Sequence, residues 1–226
     1  MKRQVSLEEI SDGRLYSLND LVKADCQGCK GCSDCCRGMG SSIILDPMDI
    51  YLMTKNLKVC FEELLNRLVE LNVVDGVILP NLKMSGQEEA CGFLDSQGRC
   101  RIHAFRPGIC RLFPLGRYYE NGDFRYFLQI HECSKENRLK VKVKNWIQVE
   151  RPKEYERFVR DWHYFLEEVE EVFTSTGHEE LIRKFNLYLT RSFFMAPYQT
   201  EEDFYSQFYD RLAKAKEILD PLHETS

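Results

Sequence analysis

The chain has 226 residues, of which 43% are hydrophobic and 30% charged, with a formal net charge of −5 and ten cysteines. This length can bury a core of its own, so metal is not needed merely because the protein is small, and the acidic balance argues against general nucleic-acid binding. Between Met1 and Leu21, Glu8, Glu9, Asp12 and Asp20 interrupt any signal-peptide apolar stretch, and no later segment approaches the roughly 20 apolar residues of a membrane helix, so a cytoplasmic protein without membrane association is expected. Thiols stay reduced in that compartment, so ten cysteines point to metal rather than to a disulfide framework.

In chain order the first feature is a cysteine cluster, Cys26, Cys29, Cys32, Cys35 and Cys36. Asp46 as N-cap and Pro47 at the first helical position then open a helix. A second helix is expected near Phe61 to Leu71, where Phe61, Leu64, Leu65, Leu68, Val69 and Leu71 follow helical spacing, and Cys60 beside that face is expected in the core. After Gly76 short extended pieces run from Val77 to Met84 and from Cys91 to Leu94. Asn121-Gly122 between Tyr118-Tyr119 and the alternating Phe124, Tyr126 and Leu128 predicts a β-hairpin. Leu139, Val141 and Val143 alternate with lysines 140, 142 and 144, the pattern of a strand with one buried face and a lysine-protected solvent face.

From Arg151 the period becomes helical. Tyr155, Phe158, Val159, Trp162, Phe165, Leu166, Val169, Val172 and Phe173 form one apolar stripe, which Gly177 ends. Two further helices follow, near Leu181 to Phe194 and Glu202 to Leu219, with Pro197 as the stop between them. The expected fold is α+β: a small cysteine-rich metal-binding core with short β-hairpins and flanking helices over residues 1–150, and a C-terminal helical segment over 151–226 packed on it.

Two-residue gaps in the first cluster bring several sulfurs around one point and turn backbone amides inward, where they stabilise thiolate charge. Cys26, Cys29, Cys32 and Cys36 repeat the C-x2-C-x2-C-x3-C spacing of bacterial ferredoxin sites, although Arg37 stands in the place of the proline. Paired C-x2-C segments also suit tetrahedral zinc, so an iron-sulfur cluster of the 4Fe-4S type and Zn2+ both remain open. Cys91, Cys100, Cys110 and Cys133 form a looser second group. Adjacent side chains seldom chelate one small ion, so Cys35 and Cys36 are expected to face different sites. His103 and His131 are not required as ligands where thiols are in excess.

The run Cys29-x2-Cys32-x2-Cys35-Cys36, then Cys91-Gly-Phe-Leu, Gly98-Arg99-Cys100-x-Ile102-His103, Arg106-Pro107-x2-Cys110-Arg111-x-Phe113-Pro114 and Cys133 resembles the YkgJ-type cysteine-cluster family of zinc- or iron-chelating CxxCxxCC domains. The resemblance covers roughly Cys26 to Cys133 and implies chelation by the eight cysteines from Cys29 onward, with Cys26 and Cys60 as extras. A similar cluster in flagellin lysine N-methylases implies an iron-sulfur centre, and the helical tail carries no motif that matches such an enzyme.

Arg99, Arg101, Arg106, Arg111 and Arg117 occur with no acidic residue among them. Four thiolates around zinc, or around an oxidised four-iron cluster, carry a net charge of about −2, so guanidiniums help either centre. Arg106 and Arg111 are therefore expected to compensate its charge as cofactor-binding residues. Glu167, Glu168, Glu170 and Glu171 occupy the polar side of an amphipathic helix and are expected to be solvated. Three functions follow: an iron-sulfur protein serving electron transfer or modification of a protein partner, a zinc-stapled interaction module, and an enzyme resembling the lysine methylases.

Overall fold

The computed structural model describes residues 6–26, 32–135 and 137–223, with the side chains of 222 and 223 outside the description. Cys29, named among the expected ligands, lies outside the described residues. No described helix is long and apolar enough to cross a membrane. The architecture is α+β, with helices and several small antiparallel sheets.

A short helix α1 (Leu7–Ile10) leads into β1 (Ser11–Tyr16) and β2 (Leu21–Asp25), after which a 3-10 turn, Asp34–Cys36, carries the adjacent cysteines. Helix α2 (Pro47–Leu57) starts where its sequence requires. Asp46 Oδ1 accepts from the Asp49 amide at 2.8 Å, Asp49 Oδ2 accepts from the Asp46 amide at 3.1 Å, and Pro47 occupies the first turn. Helix α3 (Phe61–Arg67) is shorter than its apolar periodicity predicts, because Val69–Val74 leaves it as strand β3 and pairs in full register with β4 (Val77–Leu82). Asp75 (φ 50°) and Gly76 (φ 81°) make the left-handed turn between them. Cys60, expected in the core, is instead the exposed N-cap of α3, its amide donating to Glu63 Oε2 at 2.8 Å. Its side chain lies one position before the buried stripe that begins at Phe61.

The two-residue strands β5 (Met84–Ser85) and β6 (Ala90–Cys91) pair with each other, and a 3-10 turn (His103–Phe105) precedes α4 (Gly108–Leu112). Strands β7 (Leu115–Glu120) and β8 (Asp123–Gln129) form the hairpin predicted from Asn121-Gly122, with Glu120 opposite Asp123. The sheet gains β1 as a third strand along β8, a partnership between remote segments. Strand β9 (Leu139–Lys142) pairs with β2 but stops two residues early. Val143 is fully buried as the first residue of α5 (Val143–Ile147), while Leu139 is exposed, so the expected apolar face is only partly buried.

The C-terminal part comprises α6 (Pro152–Thr176), closed by Gly177 in the left-handed conformation, α7 (Glu179–Thr190), a π turn (Arg191–Met195) and α8 (Phe204–His223). The stripe on α6 is buried at Tyr155, Phe158, Val159, Trp162, Phe165, Val169, Val172 and Phe173 and joins one hydrophobic core with residues of the first 150 positions. Asn186 on α7 fastens the helices to the β3–β4 hairpin. Its Oδ1 accepts from the Ile78 amide at 2.7 Å, and its Nδ2 donates to the Gly76 carbonyl at 3.1 Å. Asn186→Ala would leave both backbone groups without these partners, and a loss of about 2 kcal/mol in urea unfolding is expected, against nearly no loss for a substitution at exposed Glu179.

Candidate metal centre

Backbone pairing carries the cysteines together from distant parts of the chain. Arg37 bridges Ala90, and the Gly38 amide donates to the Glu89 carbonyl at 3.0 Å, which lays the turn bearing Cys35 and Cys36 beside Cys91 at the end of β6. Asp95–Gly98 then folds back so that Leu94 bridges Cys100, and the Arg101 amide donates to the Phe93 carbonyl at 2.9 Å. Cys110 arrives on α4, whose first amide, Gly108 N, donates to Asp49 Oδ1 at 2.7 Å. The capping carboxylate of α2 therefore also positions the helix carrying a candidate ligand.

Coulomb interaction marks which thiols lie near one another. Charge on Asp49, then Cys35, Cys91 and Cys100, raises the Cys110 thiol, charge on Cys100 and Cys35 raises Cys91, and charge on Cys35, Cys100 and Cys91 raises Cys36. Burial is the largest cause for Cys91, Cys100 and Cys110. Cys35 behaves oppositely. The Cys36 thiol donates to it and the Arg106 guanidinium lies close, so against its burial Cys35 falls to about 7, while Cys36, the donor, is pushed up. The adjacent pair thus shares one region, contrary to the expectation of two sites, because the 3-10 turn leaves the two thiols in hydrogen-bond contact.

Amides two residues ahead point at the sulfurs: Asp34 N at Cys32, Phe93 N at Cys91 and Ile102 N at Cys100, each favouring the thiolate. Cys32 lies beside Asp34 and near Lys135. Ser134 donates to Asp34, which draws the segment containing Cys133 toward Cys32. Cys26 follows β2 at the edge of the undescribed stretch 27–31. None of the nine described cysteines is in a disulfide.

The two predicted arginines separate. Arg106 lies near Cys35 and Cys100; its charge adds to the lowering of Cys35 and works against the burial that raises Cys100. Arg111 is buried and spends its donors on the carbonyls of Gln148, Ala104 and Arg106, at 3.1, 3.2 and 3.4 Å. It cross-braces the loops that present Cys110, a role its sequence context did not announce. His103 contacts Arg106, and burial and the neighbouring guanidiniums lower its pKa. His131 is exposed. Asp49, absent from the expected site, is the residue that sequence reasoning missed; its signal was the Asp46-x-x-Asp49 capping pattern.

Among the described residues, no group of three or more His, Cys, Asp or Glu side chains stands close enough to enclose a single ion. The chemistry of the donor set nevertheless fits a soft cation. Cys91, Cys100 and Cys110 are each raised by burial and by charge on neighbouring thiols, and Cys36 by its hydrogen bond to Cys35 and then by the same causes, whereas Cys35 is lowered, and a cation beside them would oppose that repulsion.

Asp49 is buried and Asp46 half-buried beside it, and desolvation raises the pKa of both, with Asp46 pushed up to about 6 from 3.8. The folded chain therefore holds protons at this pair that the unfolded chain releases, so stability from it is present below about pH 4 and is lost as pH rises through about 6. Asp46→Asn retains a good N-cap without the charge. Its stability relative to the native chain should be highest above pH 7 and fall toward pH 4, which paired thermal melts across that range would measure.

A family model described as "CxxCxxCC: Putative zinc- or iron-chelating domain" matches residues 28–145. No curated protein and no solved structure matches the chain.

Proposed function

Because the chain belongs to the CxxCxxCC family of zinc- or iron-chelating domains, we propose that its cysteines hold an iron-sulfur cluster of the 4Fe-4S type, serving electron transfer or modification of a protein partner. The observation that carries this reading is the backbone pairing that lays the turn bearing Cys35 and Cys36 beside Cys91 and folds Cys100 back against Leu94, with Arg106 near Cys35 and Cys100. Four of Cys35, Cys36, Cys91, Cys100 and Cys110 would supply the ligands, and Cys29, Cys32, Cys133 and Cys26 would complete or flank the centre. The x2, x2, x3 cysteine spacing favours a cluster over zinc, and amides directed at sulfur are among the features that tune cluster potentials.

A bound cluster supplies one-electron chemistry. The chain's own residues then have distinct tasks. Arg106 offsets thiolate charge, the Phe93 and Ile102 amides orient the sulfurs of Cys91 and Cys100, Arg111 braces α4, and the core packed against Cys110 limits water. A zinc staple is the second reading, favoured by the tetrahedral needs of paired C-x2-C segments.

Anaerobic purification followed by metal and acid-labile sulfide analysis separates the two. Brown protein with iron and sulfide in equal amounts is the expected result. Colourless protein holding zinc, without sulfide, would replace the cluster with the staple.

A further inference from the structure

A groove of about 540 Å3 opens between the end of α2, α3 and the two segments that follow Cys91 and Cys100. Phe93 and Ile102 form its buried floor, and Leu57, Val59 and Leu68 stand half-buried along its walls. Gly92 lets these segments close on α3, because a Cβ there would come within 2.8 Å of Leu68 Cδ2. The amides of Phe93 and Ile102 are the ones directed at the Cys91 and Cys100 sulfurs, so the groove lies on the segments that present two candidate ligands.

Arg67 and Arg101 also line the groove, and both are exposed. Arg101 gives one donor to the Gly92 carbonyl at 2.8 Å and Arg67 gives none, and neither has a carboxylate partner among the described residues. Arg37, Arg151, Arg157 and Arg160, by contrast, each pair with a carboxylate. One acid, Glu63, lines the groove, and its Oε2 is held by the Cys60 amide at 2.8 Å at the start of α3. In a chain of net charge −5, two open guanidiniums beside apolar walls complement a surface with the opposite pattern, carboxylates beside an apolar side chain. A nucleic-acid strand would meet the guanidiniums, but two cations are a small footprint for phosphate binding and aliphatic walls give bases nothing to stack on.

We propose that this groove docks an acidic segment of a partner protein, with an apolar side chain seated against Leu57, Val59 and Leu68 and carboxylates on Arg67 and Arg101. The proposal rests on the proposed function for the use of docking, which brings a partner's surface beside Cys91 and Cys100. Peptide binding and metal content are measured separately on the same samples, so either reading can fail alone.

Fluorescence anisotropy of the full-length chain, purified anaerobically with its metal, tests this with two fluorescein-labelled probes, Asp-Glu-Leu-Glu-Asp and Asp-Glu-Phe-Glu-Asp. At least one should bind at low salt with a dissociation constant of about 10–500 µM, the range of a short segment on a small interface, and should bind at least about threefold more weakly in about 0.5 M NaCl. Replacing its central residue with Ser, or its acids with Asn and Gln, should weaken binding at least about fivefold. Arg67→Glu turns an attraction into a repulsion at an exposed position and should weaken binding about tenfold. Arg101→Gln, which can still donate to the Gly92 carbonyl, should weaken it about threefold to fivefold. Lys214→Glu, an exposed charge reversal on α8 outside the groove, should leave binding unchanged. The proposal is overturned if neither probe binds at about 1 mM, if the Ser-substituted probe binds as tightly as its parent, if Arg67→Glu binds like the native chain, or if a single-stranded oligothymidylate binds more tightly than either peptide.

Discussion

Cys110→Ser is expected to lower bound metal per chain at least tenfold while leaving the helical far-UV signal of α6–α8 in place. A serine hydroxyl stays protonated where a thiol can ionise, so the substitution removes a ligand outright. Removing groups that merely orient ligands already costs about 10- to 100-fold in metal affinity, and loss of a ligand should cost no less. Cys110 is the informative choice because burial raises its thiol and charge on Asp49, Cys35, Cys91 and Cys100 raises it further. Cys60→Ser is the matched control, since Cys60 is exposed at the start of α3, and it should retain full metal. Elemental analysis by mass spectrometry, with circular dichroism on the same samples, measures both. Full metal in the Cys110 variant would remove this thiol from the centre and with it the five-thiol arrangement.

Phe158→Ala should cost about 3–5 kcal/mol in chemical unfolding. The ring is fully buried and meets Phe208 at 4.6 Å and Phe204 at 5.5 Å between centroids, both edge-to-face, with Tyr155 and Tyr205 slightly farther away. Beyond the lost transfer energy, a void remains that two separate helices, α6 and α8, would have to close together. The size of the loss also bears on how tightly the C-terminal helices are joined to the rest. Tyr155, one of those neighbours, reaches Arg117 on β7, so a disturbance at Phe158 should be felt across the seam. A single cooperative transition shifted to lower urea is the expected form. Loss of α8 alone, with the remainder unfolding at the native midpoint, would show that the helices stand as a separate unit.

The redox and metal expectations share one electrostatic origin. Cys35 is the thiol most ready to ionise near neutral pH, at about 7, because Cys36 donates to it and Arg106 is near. Burial and neighbouring charge push Cys91, Cys100 and Cys110 the other way, and a cation beside them would favour their thiolates. The backbone bridges from Arg37 to Ala90 and from Leu94 to Cys100 hold these thiols in register, so assembly does not require the loops to search for one another.

Local patterns in the chain were enough to determine the elements whose causes are local. The Asp46-Pro47 start of α2, the Asn121-Gly122 hairpin, the 25-residue α6 with its stop at Gly177 and the cysteine spacing each depend on residues a few positions apart. Propensity misled where two periods overlap. Leu68, Val69 and Leu71 satisfy helical spacing, yet Asp75-Gly76 and the partner strand β4 reward the extended form with a ladder of hydrogen bonds. Tertiary structure alone decided that Cys35 and Cys36 share a region, that Arg106 faces thiols while Arg111 braces carbonyls, and that Glu167 and Glu170 border a cavity rather than open solvent. Several of these outcomes depend on remote segments meeting at particular distances, as Arg37 meets Ala90, Asp49 meets Gly108 and Asp34 meets Ser134. Distance sets both Coulomb coupling and burial, and no pattern of neighbouring letters specifies it.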